Sequence, residues 1–325
     1  MKRRKTLVAS ILALSILIGL TGCGHTQSSK RVVRIDGFQG SFDLFAQIII
    51  MREGLMEKYL PEDVVLEWVS IASGSEKRDA LLSGQLDITD LAVAALATSL
   101  QNDFPFVYVT YLGSNRIGLY CNDEDVNTME DMTSDMKISV PSIGTGPHTA
   151  FLVSAVQVLG SADRFKNSMV TMANADGVNA VISETAGVDA VVVSFPTSLA
   201  AEAAENVHLV RDLSDGIIEY GVGTVVCTTE EFAKNNSDVI DAYLAAYDEA
   251  IRMMREDRET CIDIIVETFS GCDEQRAAEM LDYYLLALEY DGEKYDKLMN
   301  FLYDNGILEE RAATFADIPK YEREK

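Results

Sequence analysis

The sequence predicts an α/β fold, and three observations predict it. Short β-branched runs alternate with helix-patterned stretches from residue 31 to residue 121, as in a parallel sheet covered by helices. A second alternating set runs from residue 127 to residue 229. From there to Lys325 apolar residues recur only at helical spacing.

The elements follow in order. Val32 to Ile35 is a β-branched strand, and Asp36 to Ser41 a turn. A helix is expected from about Phe42 to Tyr59, with Leu44, Phe45, Ile48, Ile49 and Met56 on or near one face, and Pro61 stopping it. Val64 to Ser70 alternates like a half-buried strand. The next stretch organises the rest. Ser73 can cap a helix, and Glu76 stands at capping-box spacing. Gly74 permits a sharp turn, and Gly84 ends the helix. Leu86, Ile88 and Leu91 then lead into a buried strand that carries Asp90. A small helix from Val93 to Leu100 follows, then strands at Phe104–Leu112 and Arg116–Cys121.

In the second set, Asn127–Ser134 is expected as a short helix with Thr128 as its cap, and Lys137–Val140 as a strand. A Gly-rich turn from Pro141 to His148 opens a helix running to Leu159, where Pro147 suits a first turn that needs no N–H. Met169–Met172 is a strand, Val178–Glu184 a helix and Val188–Val193 an apolar strand. Thr197 or Ser198 caps a helix at Leu199–Ala204, and His208–Val210 is a strand. Gly221 and Gly223, flexible positions, precede a strand ending at Thr229, which with Glu230 and Glu231 opens the helical remainder.

The first residues carry an address. Lys2, Arg3, Arg4 and Lys5 precede an uncharged apolar run from Leu7 to Leu20, shorter than the roughly 20 apolar residues of a spanning helix and suited to a signal peptide. The run ends in Leu20-Thr21-Gly22-Cys23, which looks like the lipobox of bacterial lipoproteins. That likeness implies a signal peptide over 1–22, lipidation of Cys23 and a polar tether over 23–30. The formal net charge is −25, which argues against nucleic acid or anionic lipid as a partner. It leaves room for an anionic small ligand, because distant charges are screened. Cys121, Cys227, Cys261 and Cys272 form no CxxC pair, and with three His in the chain no metal-ligand cluster is visible.

Four stretches carry a family resemblance: Met51 to Tyr59, Ser73 to Asp87, Ile138 to Gly146, and Val188 to Pro196. In order and spacing the chain resembles the substrate-binding proteins of ABC importers, above all those for nitrate, sulfonates, taurine and thiamine precursors. It departs from them at Phe42-Asp43-Leu44-Phe45, where the family often has a Pro, and at Glu184 to Val188, where a Ser/Gly run is usual. The resemblance implies a type II periplasmic-binding-protein fold, with two Rossmann-like lobes, two hinge strands and extra C-terminal helices. The first lobe would hold 31–115 and 222–325, the second 116–221.

Strand ends and helix N-termini converge on such a cleft. The expected ligand contacts are Gln39, Gly40 and Ser41; Ser73, Gly74 and Ser75; Asp90 and Leu91; Gly144, Thr145, Gly146 and His148; and Phe195 and Pro196. Each has a plainer role open to it. Gln39 and Ser41 close a turn and cap a helix, Ser73 caps an ordinary βαβ helix, His148 is a surface residue, and Asp90 either meets a ligand amine or caps the next helix. Phe195 would cover an apolar part of the ligand, and Arg116 suits a hinge ion pair better than a ligand clamp. The implied function is a lipid-anchored, extracytoplasmic receptor for a small anionic or zwitterionic solute. It would be monomeric, use no cofactor or metal, perform no chemistry and deliver to a permease and ATPase. Two alternatives stand beside it: an enzyme on the same fold, like thiamine-pyrimidine synthases or menaquinone-pathway enzymes, and a ligand sensor presenting to a partner protein.

Overall fold

The structure, a computed structural model, describes residues 30–37, 44–71 and 73–323. The chain first forms β1 (Arg31–Asp36), α1 (Phe45–Arg52), α2 (Leu55–Tyr59), β2 (Val64–Val69), α3 (Gly74–Leu82), β3 (Ile88–Ala92), α4 (Val93–Gln101) and β4 (Phe106–Gly113). It continues with β5 (Ile117–Cys121), β6 (Ile138–Val140), α5 (Gly146–Leu159), β7 (Met169–Thr171), α6 (Asn174–Ile182), β8 (Ala190–Ser194), α7 (Ser198–Glu202), β9 (His208–Asp212) and α8 (Ser214–Tyr220). Then come β10 (Thr224–Thr229), α9 (Glu230–Asn235), α10 (Ser237–Glu256), α11 (Arg258–Thr268), α12 (Glu274–Ala287) and α13 (Gly292–Asp304).

Two five-stranded sheets result, in the orders β2-β1-β3-β10-β4 and β7-β6-β8-β5-β9. β1 pairs in parallel with β2 and β3, and β6 with β7 and β8. The first sheet is not the parallel sheet that alternation predicts, because β10 runs antiparallel between β3 and β4. A strand arriving from more than a hundred residues downstream leaves no trace in local alternation. The chain passes between the sheets twice, over residues 114–116 and 213–223.

Burial follows the apolar stripes. On α10, Val239, Ala242, Tyr243, Ala246 and Ala250 are buried, as their spacing predicts. One core gathers Val33, Ile35, Phe45, Ile49, Tyr243 and Tyr284. Another joins Leu91 and Val225 of the first sheet to Ile117 and Val192 of the second, and to Leu298 of α13. Cys121, Cys227, Cys261 and Cys272 are buried, unpaired thiols. No helix among the described residues is long and apolar enough to cross a membrane.

The structure departs from the sequence expectation where a local group competes with the helix. Gly54 takes φ +63°, so the single expected helix divides into α1 and α2. Residues 127–134 form turns, not a helix. There the Asp131 carboxylate accepts from the Thr128 N–H at 2.8 Å and the Asn127 N–H at 3.1 Å, an alternative to helical bonding. Thr197 precedes α7 but makes no side-chain cap bond. α8 has no counterpart in the sequence reading.

Gly223 is the clearest revision. Sequence alone marks it as flexible, yet it sits where a Cβ would lie 2.5 Å from the Gly113 carbonyl oxygen and 2.7 Å from Cζ of Tyr111. It is a close approach between two backbones at one of the passages between sheets. Gly223→Ala is therefore expected to cost about 1–3 kcal/mol through overpacking, read as a lower urea midpoint at unchanged slope. An unchanged midpoint would show that the two backbones do not approach this closely.

Candidate functional site

The strand order fixes where a site can form. From β1 the chain crosses to β2 on one side and returns to β3 on the other. The second sheet repeats this with β6, β7 and β8. The connections from β1 and β3, and from β6 and β8, therefore run to opposite sides of each sheet's order, and such a switch point is the usual ligand position in sheets of this kind. Gly144, Thr145, Gly146 and His148 follow β6, Phe195 and Pro196 follow β8, and Asp90 and Leu91 lie in β3. Ser73, Gly74 and Ser75 follow the outer strand β2. Gln39, Gly40, Ser41 and Cys23 lie outside the described residues.

At the first sheet, Ser73 caps α3: its hydroxyl accepts from the Glu76 N–H at 3.2 Å. Its Oγ also stands 3.2 Å from Oγ of Ser75. A Cβ on Gly74 would meet nothing within 4 Å, so the helix start faces open space. One turn on, Lys77 is buried and reaches back to the sheet. Its ammonium donates to Oδ1 of Asp90 at 2.9 Å and also pairs with Asp36 at the end of β1. The Gln47 amide on α1 donates to the same Asp90 oxygen at 3.2 Å. The Asp90 carboxylate, expected to meet a ligand amine or cap a helix, is committed to Lys77 and Gln47.

The three charges settle unequally. Burial, and the charge of Asp90 beside it, push Asp36 up to about 8. Burial works against the Asp90 anion too, but Lys77, Asp36 and Gln47 outweigh it and hold Asp90 below its ordinary value. Burial likewise opposes the Lys77 charge, and the two carboxylates override it and raise the ammonium's pKa. Near neutrality Asp36 is largely protonated, and Lys77 and Asp90 form the ion pair. Sequence reasoning missed Asp36 and Lys77, whose partners come from three different elements.

At the second sheet, Gly144 turns at φ +81° and its N–H donates to Nδ1 of His148 at 3.1 Å. Thr145 Oγ1 donates to the Ser142 carbonyl at 2.7 Å. His148 is thus an internal brace of its own loop, not a surface residue. Burial lowers its pKa to about 4, so the ring is neutral and Nε2 carries the proton. Thr149 Oγ1 in the same turn, and Asn174 Oδ1 opening α6, are buried without a hydrogen-bond partner among the described residues.

Phe195 is buried and does not lie open to a ligand. Its ring meets Phe45 edge-on at 5.8 Å and Phe269 at 5.2 Å. The Phe195–Pro196 peptide is cis. Leu91 is likewise a core residue. Arg116 Nε donates to Oδ2 of Asp212 at 2.8 Å, the ion pair its sequence position suggests. It borders a crevice of about 250 Å³ beside Tyr120, Glu202, Arg276 and Met280. There Arg276 of α12 pairs with Glu202 of α7 at 2.5 Å, and the Tyr120 hydroxyl donates to Glu202 at 2.7 Å. Among the described residues no group of His, Cys, Asp and Glu is placed to hold a metal ion.

This topology has counterparts among solved structures. The periplasmic aliphatic sulphonate binding protein SsuA from Escherichia coli superposes with a TM-score of 0.71 at 19% identity, covering 91% of this chain and 94% of its own. The chain has the periplasmic-binding-protein fold. The alkanesulfonate-binding protein SsuA from Xanthomonas axonopodis pv. citri, bound to MOPS, gives 0.72 at 16% identity over 90% of this chain and 99% of its own. A ligand-binding component of an ABC-type import system from Staphylococcus aureus, with zinc bound, gives 0.72 at 15% identity over 91% and 100%. Neither a protein-family model nor a curated protein matches the sequence.

Lys77→Met removes the cation from between two buried carboxylates. It is expected to cost about 3–5 kcal/mol, measured by urea denaturation at pH 7. Asp36 adds a pH signature of known sign. A carboxyl raised to about 8 keeps its proton in the folded chain where the unfolded chain has lost it. Its contribution is complete below about pH 4 and is lost as pH rises through about 8. The stability difference between wild type and Asp36→Asn should therefore shrink or reverse over that window. A difference that stays flat from pH 4 to 8 would show that Asp36 titrates normally.

Proposed function

We propose that the chain is the lipid-anchored, extracytoplasmic solute receptor of an ABC importer, binding a small organic anion or zwitterion in the crevice between its two sheets. The observation that carries this reading is the paired switch point. Both sheets direct the carboxyl ends of parallel strands and the first turns of α3, α5 and α6 to one kind of edge. The sulphonate-binding and ABC-import proteins among the structural neighbours share that fold. The lobes of this reading are 31–115 with 222–325, and 116–221, in line with the passages between sheets at 114–116 and 213–223.

The ligand class follows from what is free. Lys77 is neutralised internally, which leaves the backbone N–H groups of helix starts as donors; of the nearby hydroxyls, Ser75 is within hydrogen-bond reach of Ser73 and Ser142 donates to the Ile143 carbonyl at 3.3 Å. Each helix start contributes roughly 0.3–1 kcal/mol toward a negative group, and more when enclosed. Contacts from both lobes favour the closed form, and differential affinity drives closure. Anchoring rests on Cys23 and the preceding leader, and the partners are a permease and an ATPase. His148 is taken up by the Gly144 amide, so among the described residues no nucleophile–base pair favours the enzyme reading.

Native mass spectrometry of protein purified without added ligand, then denatured, is expected to release a stoichiometric small molecule. A thermal-shift panel of sulfonates, carboxylates, amino acids and pyrimidines should add about 2.7 kcal/mol at 100 times Kd for the right class. Cys23→Ser should move the protein from membrane to soluble fraction. An empty spectrum together with a silent panel would sink the receptor reading.

A further inference from the structure

Two of the buried side-chain atoms without a partner among the described residues lie in the first turns of the helices that follow β6 and β7: Oγ1 of Thr149 in α5 and Oδ1 of Asn174 in α6. Asn174 is 8% exposed and Thr149 2%. The Asn174 amide makes no hydrogen bond to another described residue. Such a group ordinarily has a partner, and a structural role would show as a bond. Capping does not explain it. Asn174 is the first helical residue of α6, and the cap position before it is Ala173, which makes no side-chain cap bond.

Its place in the fold points to the proposed crevice. The Met172 N–H donates to the Val140 carbonyl at 3.1 Å, so the loops after β7 and β6 leave the sheet side by side. Two residues beyond that bond lie Asn174 on one chain and Ser142 on the other. α6 packs on the Ser139 face of β6, where a Cβ on Gly177 would lie 3.1 Å from the Ser139 Cβ. α5 covers the face of Ile138 and Val140. The first turns of the two helices therefore flank one edge. Between them Ile143 presents its side chain 58% exposed, on a loop pinned by the Thr145–Ser142 bond.

We infer that Asn174 is a specificity-determining residue of the crevice, and that the ligand is a small carboxylate carrying a terminal carboxamide or ureido group. This rests on reading the crevice as a ligand site. A carboxamide offers an acceptor and a donor on one edge, so its full complement is another donor–acceptor edge. That match survives a half-turn of the Asn174 side chain, which exchanges oxygen for nitrogen. Ile143 would offer an apolar rim for the carbon skeleton, and the α5 start a seat for the carboxylate. A ligand with a methyl in place of the amide NH2 would leave the Asn174 amide unmatched, and sites built around a hydrogen bond reject such analogues strongly.

The test has two arms. In the first, the ligand-free melting temperature of Asn174→Ala is compared with wild type. An unchanged or higher value is expected, because the replaced group has no partner to lose. A fall of several degrees would make Asn174 structural and overturn the inference. In the second arm, calorimetry measures two matched probe pairs: succinamate against levulinate, and N-carbamoyl-β-alanine against N-acetyl-β-alanine. Wild type should prefer the NH2-bearing member by at least about 100-fold, and Asn174→Ala should compress that preference to within about threefold. Equal binding within each wild-type pair, or a preference that survives the substitution, overturns the role of Asn174 while leaving the receptor reading intact. Failure of wild type to bind any of the four probes overturns the ligand class inferred here, and the receptor reading is then judged by its own mass spectrum.

Discussion

A single buried ammonium sets the geometry of the first sheet's carboxyl edge. Lys77 has left water, and a cation there needs counter-charge close by. Asp90 on β3 and Asp36 on β1 supply it, and Gln47 on α1 completes the cluster. Four elements are thereby tied at one point, directly beneath the start of α3 and the exit of β1. Burying three ionisable groups adds little net stability compared with apolar packing. What it supplies here is register. Any slip of β1 against β3, or of α3 against both, would strand a charge without its partner, so the arrangement is single-valued.

The second sheet meets the same problem without charge. α3 and α6 are the equivalent second crossovers of their sets. Where α3 carries Lys77 in its first turn, α6 carries Gly177 at the same step and lies close against Ser139. One helix stands off its sheet around an ion cluster, and the other is drawn in by the absence of a side chain. The two edges differ in chemistry as a result. The first has its buried ions largely matched to one another. The second holds Oδ1 of Asn174 and the hydroxyl of Thr149 without partners among the described residues.

The order of elements was legible because it depends on local signals. β-branched runs, the Ser73 and Thr229 caps and the α10 stripe each need only a few neighbouring residues, and both caps form as read. Legibility ended where a partner is remote. β10 entering between β3 and β4, Lys77 meeting Asp36, and Phe195 meeting Phe45 and Phe269 are all long-range facts. His148 shows the same limit on a smaller scale. Its spacing from Gly144 is local, but its burial depends on helices that spacing does not report. The loops at the candidate site were readable as loops. Which of their side chains point outward was not, because packing against α1 and α11 decides that.

Phe195 bears on how the two halves move. It follows a strand of the second sheet, yet its ring belongs to the core built on the first. Among the other described ties between the halves are two ion pairs, Glu202–Arg276, with side chains 27% and 24% exposed, and Glu219–Lys297, with side chains 47% and 41% exposed. An ion pair with that much solvent contributes at most about 1 kcal/mol. Withdrawing a phenylalanine ring from a core costs about 1.5–3 kcal/mol, with edge-on ring contacts adding about 0.5–1.5 kcal/mol. A rotation of one sheet against the other about residues 114–116 and 213–223 that parted α7 from α12 would break the Glu202–Arg276 pair and disturb the seat of Phe195. Of these three, the seat of Phe195 is the stronger tie, and the ion pairs are weaker, more salt-sensitive fastenings. A solute held between the sheets would add to the same closed side of the balance. In energetic terms Phe195 would then belong to the binding equilibrium although its ring is buried in the core.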